Sequence, residues 1–180
     1  MNELHTQCLD QFPAWLRSLA ADVAELVQVL NSNNITEDTQ CYIIGGLHYV
    51  LKSLDIIPDG VGDIGFLDDA LTLRVAASLA LQEDPAARSA VVLVRLASDT
   101  KLIAGLLSRD YARLQVYVKA LSKGTIRGQA INEMIHDDMT RFSFLHEISS
   151  WVSRYQAPTV TLDEQTLIQL QSFLSTKLPG

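Results

Sequence analysis

LDDALTLRVAASLAL, residues 67–81, is the stretch that decides the fold class. Asp68, Asp69, Thr72, Arg74 and Ser78 interrupt an otherwise apolar run. Wound into a helix, the run is apolar on almost every side. A surface helix shows one apolar stripe, whereas a helix apolar all round must be enclosed by other elements. Spanning a bilayer takes ~20 apolar residues, and Arg74 with the Asp68-Asp69 pair closes off anything so long. The stretch predicts the central helix of an all-α protein.

Helical periodicity continues on both sides. A first helix is expected from about Ala14 to Leu30, with Pro13 at or near its first turn. Asn31-Ser32-Asn33-Asn34 ends it, and Asn34 with Glu37 resembles a capping pair. A second helix carries Ile44, Leu47, His48, Leu51 and Leu54 on one stripe. Beyond the central helix, Asp84-Pro85 has the cap-then-proline form of a helix start. Leu107, Tyr111, Leu114, Val118 and Leu121 mark a helix stopped by Gly124, and Ile131, Ile135, Met139, Phe142, Leu145 and Val152 give another a broad apolar face. Thr161 with Glu164 reads as a capping box opening a last helix, with Leu167, Leu170, Leu174 and Leu178 inward. No segment shows the strict alternation of a half-buried strand. The expectation is a single-domain bundle of about seven helices over residues 1–180, with an acidic Pro/Gly-containing turn between the second and third.

Bulk properties narrow the function classes. A chain of 180 residues that is 48% hydrophobic and 19% charged can bury a sizeable core and is not disordered. The net charge of -7 argues against a nucleic-acid partner and against anionic lipid head groups. The start, Met1 to His5, lacks the basic and apolar blocks of a secretory signal. Cys8 and Cys41 have no metal-ligand spacing and read as buried, reduced thiols, so the cytoplasm is the expected compartment. Charge is unevenly spread: residues 1–84 hold 13 acidic and 3 basic side chains, and residues 85–180 hold 8 acidic and 11 basic. The two halves are therefore expected to face each other.

SLDIIPDGVGDIGFLDDAL, residues 53–71, places Asp55, Asp59, Asp63, Asp68 and Asp69 between two apolar helices. Pro58 forces Ile57 out of the helical region, Asp59-Gly60 is a turn signal, and Gly62 and Gly65 permit unusual backbone angles. Asp55, Ile56-Ile57, Pro58-Asp59, Gly65, Phe66-Leu67 and Asp68-Asp69, in that order and spacing, resemble the signature of the YkvA-like family, a bacterial domain of unknown function. The likeness covers residues 43–81 and departs at Gly62 and Asp63, where family members often carry a second proline and an apolar residue. It implies a helical hairpin around a carboxylate-rich turn and implies no reaction.

Other readings of the turn fail on their own chemistry. The glycine pattern of Gly60, Gly62 and Gly65 lacks the strand of a dinucleotide site and is crowded by aspartates that repel phosphate. An EF-hand register puts Ile57 and Phe66 at ligand positions, where neither can bind calcium. A carboxylate site for magnesium or calcium, built from Asp55, Asp59, Asp63, Asp68 and Asp69, remains as an alternative to a structural role. In the structural role, Asp68 and Asp69 cap or complement the dipole of the third helix, and Asp55 and Asp59 brace the turn. Glu133-x-x-His136 has di-iron spacing without the second copy such a site needs, and His48 reads as a core histidine. No nucleophile elbow or phosphate loop is present. The reading is a helical interaction or scaffold module with an unknown protein partner; the alternative is a metal-binding protein or metal-dependent hydrolase using the aspartates. One or more of Arg88, Arg95, Arg109 and Arg113 is expected to reach the turn, with Arg74 and Lys52 as alternatives.

Overall fold

Nearly every residue with helical periodicity lies in a helix of the computed structural model, which describes residues 2–52, 55–58 and 60–180. The elements are α1 (Glu3–Asn31), α2 (Glu37–Leu51), α3 (Leu67–Glu83), α4 (Val91–Ser98), α5 (Thr100–Leu107) and α6 (Asp110–Leu121). A two-residue-per-strand hairpin, β1 (Thr125–Ile126) and β2 (Gln129–Ala130), leads to α7 (Ile131–Met134), α8 (Asp138–Arg154) and α9 (Glu164–Lys177). Two 3₁₀ turns, Gly62–Ile64 and Pro85–Ser89, flank α3. The fold is an all-α bundle, and no helix among the described residues is long and apolar enough to cross a membrane.

As its composition requires, α3 is central: α1, α2, α4, α5 and α6 all pack on it. Its approach to α2 is set by a glycine pair. A Cβ on Gly46 would meet Ala76 and Leu73 of α3 at 3.2 Å, and one on Gly45 would lie 2.9 Å from the backbone of Leu121 and Ser122. The missing side chains let α2 lie close to α3 on one side and to the end of α6 on the other.

Arg74 is the one basic residue on α3 and is only 1% exposed. Its guanidinium sits 4.1 Å above the Trp15 ring and donates to Asp99 Oδ2 (2.9 Å) and to the Ala70 carbonyl (3.1 Å). Asp22 of α1 lies 3.6 Å away and also accepts from Arg95 (2.9 Å) and Ser18 (3.0 Å), while Arg95 reaches on to Glu25 (3.3 Å). A buried charge persists only when paired and hydrogen-bonded on this scale. The network knits α1 to α3, α4 and the α4–α5 junction.

Four expectations need correction. First, α1 begins at Glu3, not near Ala14, and Pro13 lies inside it. Asn2 caps it by accepting from the His5 N–H (2.8 Å), and buried Cys8 and Phe12 outweigh the hydrogen bond Pro13 cannot make. Second, Leu107 ends α5 instead of opening the next helix, and α6 starts at Asp110, because Ser108 adopts a left-handed φ of 52° between them. Third, Thr36 caps α2 and Asp163 caps α9 in a box with Thr166, rather than Asn34 and Thr161. Fourth, the run from Ile131 to Val152 is two helices broken at Ile135–Asp137. The break rotates the second part, so Phe144 and Ile148 turn inward while Met139 and Phe142 turn outward.

The acidic and basic halves do meet, but not where expected. Arg95 pairs with Asp22 and Glu25, and Lys119 approaches Glu83 (3.9 Å). Arg113 turns to Asp110 and to the Ser175 and Leu178 carbonyls at the end of α9. Among the described residues, these two arginines therefore serve α1 and α9.

Three substitutions test this account. Gly45→Ala faces rigid backbone and should lower stability by about 1–3 kcal/mol despite alanine's better helix propensity, whereas Gly46→Ala, facing side chains that can shift, should cost less. Arg74→Met, which strips Asp22 and Asp99 of a partner, should cost about 3–5 kcal/mol. Urea unfolding followed by circular dichroism reads all three.

Candidate functional site

The turn between α2 and α3 is organised by one tyrosine and one aspartate. Tyr49, near the end of α2, and Asp68, in the first turn of α3, are both buried, and the Tyr49 hydroxyl donates to Asp68 Oδ2. The same hydroxyl accepts from the Ile56 N–H (2.8 Å), and Asp68 Oδ2 accepts from the Ile57 N–H (3.0 Å). Because Pro58 keeps Ile57 out of a helix, these two N–H groups have no helical acceptor and need such partners. One phenol and one carboxylate thus hold Ile56 and Ile57 of the turn against both helices.

The rest of the turn closes on itself. Val61 donates to the Pro58 carbonyl (2.9 Å), and Ile64 and Gly65 donate to the Val61 carbonyl (3.3 and 3.2 Å). Gly62 takes a left-handed φ of 47°, as its sequence position suggested, but Gly65 does not. The second left-handed residue is Phe66, at φ 66°, which precedes α3 and makes no side-chain cap. Its ring is held edge-on to Tyr155, with centroids 5.5 Å apart. The expected capping of α3 by an aspartate is therefore replaced: Asp68 caps the turn instead, and both Asp68 and Asp69 face the positive end of the helix from its first turn.

Of the five aspartates singled out, Asp68 and Asp69 are each 1% exposed, Asp55 is half-buried and Asp63 is exposed. Asp59 lies outside the described residues. Asp55 lines a pocket of about 330 Å³ with Ile56, Pro58, Tyr117, Phe173 and Lys177. Among the described residues, no three His, Cys, Asp or Glu side chains gather where an ion could be held. Burial, reinforced by Asp68, pushes the Tyr49 phenol far above its ordinary range, and burial with Asp68 and Asp55 raises Tyr117. Both are neutral phenols at physiological pH.

The other sequence candidates disperse. His48 is half-buried rather than in the core, packs edge-on to Phe144 at 6.3 Å, and has its pKa lowered by burial and by Lys52. Glu133 is exposed, and His136 turns to Glu37 with a 2.8 Å contact. Burial raises the Cys8 thiol to about 11 and also raises Cys41, where Asp38 and Glu37 add to it. Neither thiol is activated as a nucleophile. A pocket of about 550 Å³ is walled by Asp38, Tyr42, Glu83, Lys119 and Lys123 among others, a mixture of both charge signs beside the Gly45 crossing.

One feature escaped the sequence pattern. Asp137 caps α8 by accepting from the Met139 and Thr140 N–H groups (3.1 and 3.2 Å), and Arg141 ties the helix to Gln40 (2.9 Å) and the Leu30 carbonyl (2.7 Å). With its phase fixed by these contacts, α8 presents Met139 at 81% and Phe142 at 72% exposure. The Phe142 ring stacks on His146, 6.3 Å between centroids. The signal available in the sequence was the His136-Asp137 step, a cap that restarts the helix and shifts its apolar stripe. Comparison with known protein families, curated proteins and solved structures found no match to this chain.

Tyr49→Phe should cost about 1–3 kcal/mol near neutral pH, since it leaves the Ile56 N–H and Asp68 short of a partner. It should also change the alkaline limb. An unfolded tyrosine loses its proton near pH 10, while buried Tyr49 keeps it to higher pH; its contribution to stability is full below about pH 10 and is lost as pH rises from there towards the folded-state value. The fall in urea midpoint between about pH 9 and 11 should be shallower in Tyr49→Phe than in the native chain.

Proposed function

We propose that the chain is a helical interaction module whose contact surface is the outward face of α8, and that residues 43–81 form a YkvA-like hairpin that organises the fold. The observation that carries this is the pairing of Met139 and Phe142, three residues apart on one exposed helical face. Single exposed apolar residues are ordinary, but two large ones side by side form a patch. Methionine and aromatic side chains are the types enriched at the centres of protein interfaces. The face is also presented rigidly, because the Asp137 cap and the Arg141 contacts fix α8 on the body.

The competing reading is a divalent ion held by the turn. Asp68 supports it least, since one of its oxygens already accepts from both Tyr49 and Ile57. Melting the protein with and without magnesium, calcium and manganese decides between the two. An ion present at 100 times its dissociation constant would add about 2.7 kcal/mol of stability; no increase is expected.

The interaction reading predicts that Met139→Ser/Phe142→Ser leaves the melting temperature unchanged, because neither side chain contributes to the core. A photo-reactive phenylalanine at position 142 should give a discrete cross-linked adduct in living cells that Met139→Ser suppresses. The same probe at exposed Val116 on α6 should give none. Equal adducts at both positions, or none at 142, would refute the assignment of the face.

A further inference from the structure

The outward face of α8 continues past Met139, Phe142 and His146 into Ser149, Ser150 and Ser153. At 3.6 residues per turn these six positions lie within about 100° of one another. The bulky residues thus occupy the N-terminal half of the face and the small ones the C-terminal half. Ser149 and Ser153 are joined within the helix, the Ser153 hydroxyl donating to the Ser149 carbonyl (3.1 Å), so the small half is smooth rather than reaching outward.

A face built this way is complementary to itself when reversed. Resting on the reading of α8 as the contact surface, we propose that its occupant is a second copy of this chain, with the two α8 helices antiparallel about a two-fold axis at His146. Residue 146 is the midpoint of Asp138–Arg154. In that register Phe142 of one copy lies over the hollow bounded by His146, Ser149, Ser150 and Ser153 of the other. That i, i+3, i+4, i+7 set is the hole into which a knob packs in helix pairs. Met139 falls opposite Ser153. A two-fold interface needs only one patch, used twice, which this face provides.

Charge favours the same orientation. The N-terminal end of α8 carries Asp137 and Asp138, its Arg141 being turned to Gln40 and the Leu30 carbonyl on the body, and its C-terminal end carries Arg154. Antiparallel pairing brings the acidic end of one helix to the basic end of the other and opposes the two helix dipoles, whereas parallel pairing would stack like ends. One helical face is a small interface, so the dimer is expected to be weak and concentration-dependent.

Sedimentation equilibrium from low to several hundred micromolar tests the association. The native chain should move from monomer to dimer, and Phe142→Asp, which places a carboxylate in each hollow, should weaken dimerisation by at least about tenfold. Circular dichroism confirms that this exposed substitution leaves the helices intact. His146→Cys should give a disulfide-linked dimer under mild oxidation, because only a residue on the axis meets its own copy, while Val116→Cys should not; the native Cys8 and Cys41 are buried. A monomer throughout the range, dimerisation unaffected by Phe142→Asp, or no cross-link at 146 would each overturn the proposal. If a cross-linked adduct at position 142 has a mass other than two chains, the face remains an interaction surface and self-pairing alone falls.

Discussion

A helix enclosed on every side has to find partners for its charged groups inside the protein, and α3 brings three of them, Asp68, Asp69 and Arg74, each only 1% exposed. Much of the architecture follows from that constraint. Asp68 is met by the Tyr49 hydroxyl and the Ile57 N–H, which fixes the path of the chain between α2 and α3. Arg74 is met by Trp15, Asp99 and Asp22, which fixes how α1 and the α4–α5 junction lie against α3. An apolar helix would pack as tightly without these groups, but it would have no means of choosing one rotation over another. Buried polar networks of this kind are costly when half-satisfied, so each partner position becomes obligatory.

The glycine pair on α2 makes the constraint geometrically attainable. Gly45 and Gly46 leave room for α6 and α3 on either side of α2, which brings Tyr49, about one turn later, within reach of Asp68. Tyr117 of α6 then closes on the same tyrosine edge-to-face at 6.1 Å. Three helices and one turn therefore converge on a phenol–carboxylate pair. The pair acts as a structural clasp: both side chains are buried, and the phenol is kept protonated.

What could be read from the sequence follows physical rules of differing strength. The centrality of α3 was legible because its composition admits no exposed face, and α9 was legible because Leu167, Leu170 and Leu174 repeat cleanly behind a cap. The early start of α1 was not, because Pro13 is a helix-start residue locally and only the buried Cys8 and Phe12 reveal that the helix began sooner. The phase of α8 was lost when the stripe was counted through Ile135 to Asp137 as one helix. At the turn, glycine content pointed to Gly62 correctly and to Gly65 wrongly; the strained backbone sits at Phe66, whose ring has Tyr155 to hold it. Charge counting showed that two halves would attract, yet it carries no information about which side chains meet. Only the fold sends Arg95 to Asp22 and leaves Asp68 to a tyrosine.

The same rules divide the molecule into an inside and an outside with unusual contents. The interior holds Asp22, Asp68, Asp69 and Arg74, while the surface of α8 displays methionine and phenylalanine. Charged groups inside rigidify a fold because moving them breaks several hydrogen bonds at once. Large apolar groups outside gain free energy only when something covers them. Arg141 connects the two regions: it donates to the Leu30 carbonyl at the end of α1 and to Gln40 at the start of α2, and so holds α8 on the part of the body that the buried charges make rigid. A contact face mounted on such a body loses little conformational entropy on association. That is the physical condition under which a face as small as one helix can select a partner.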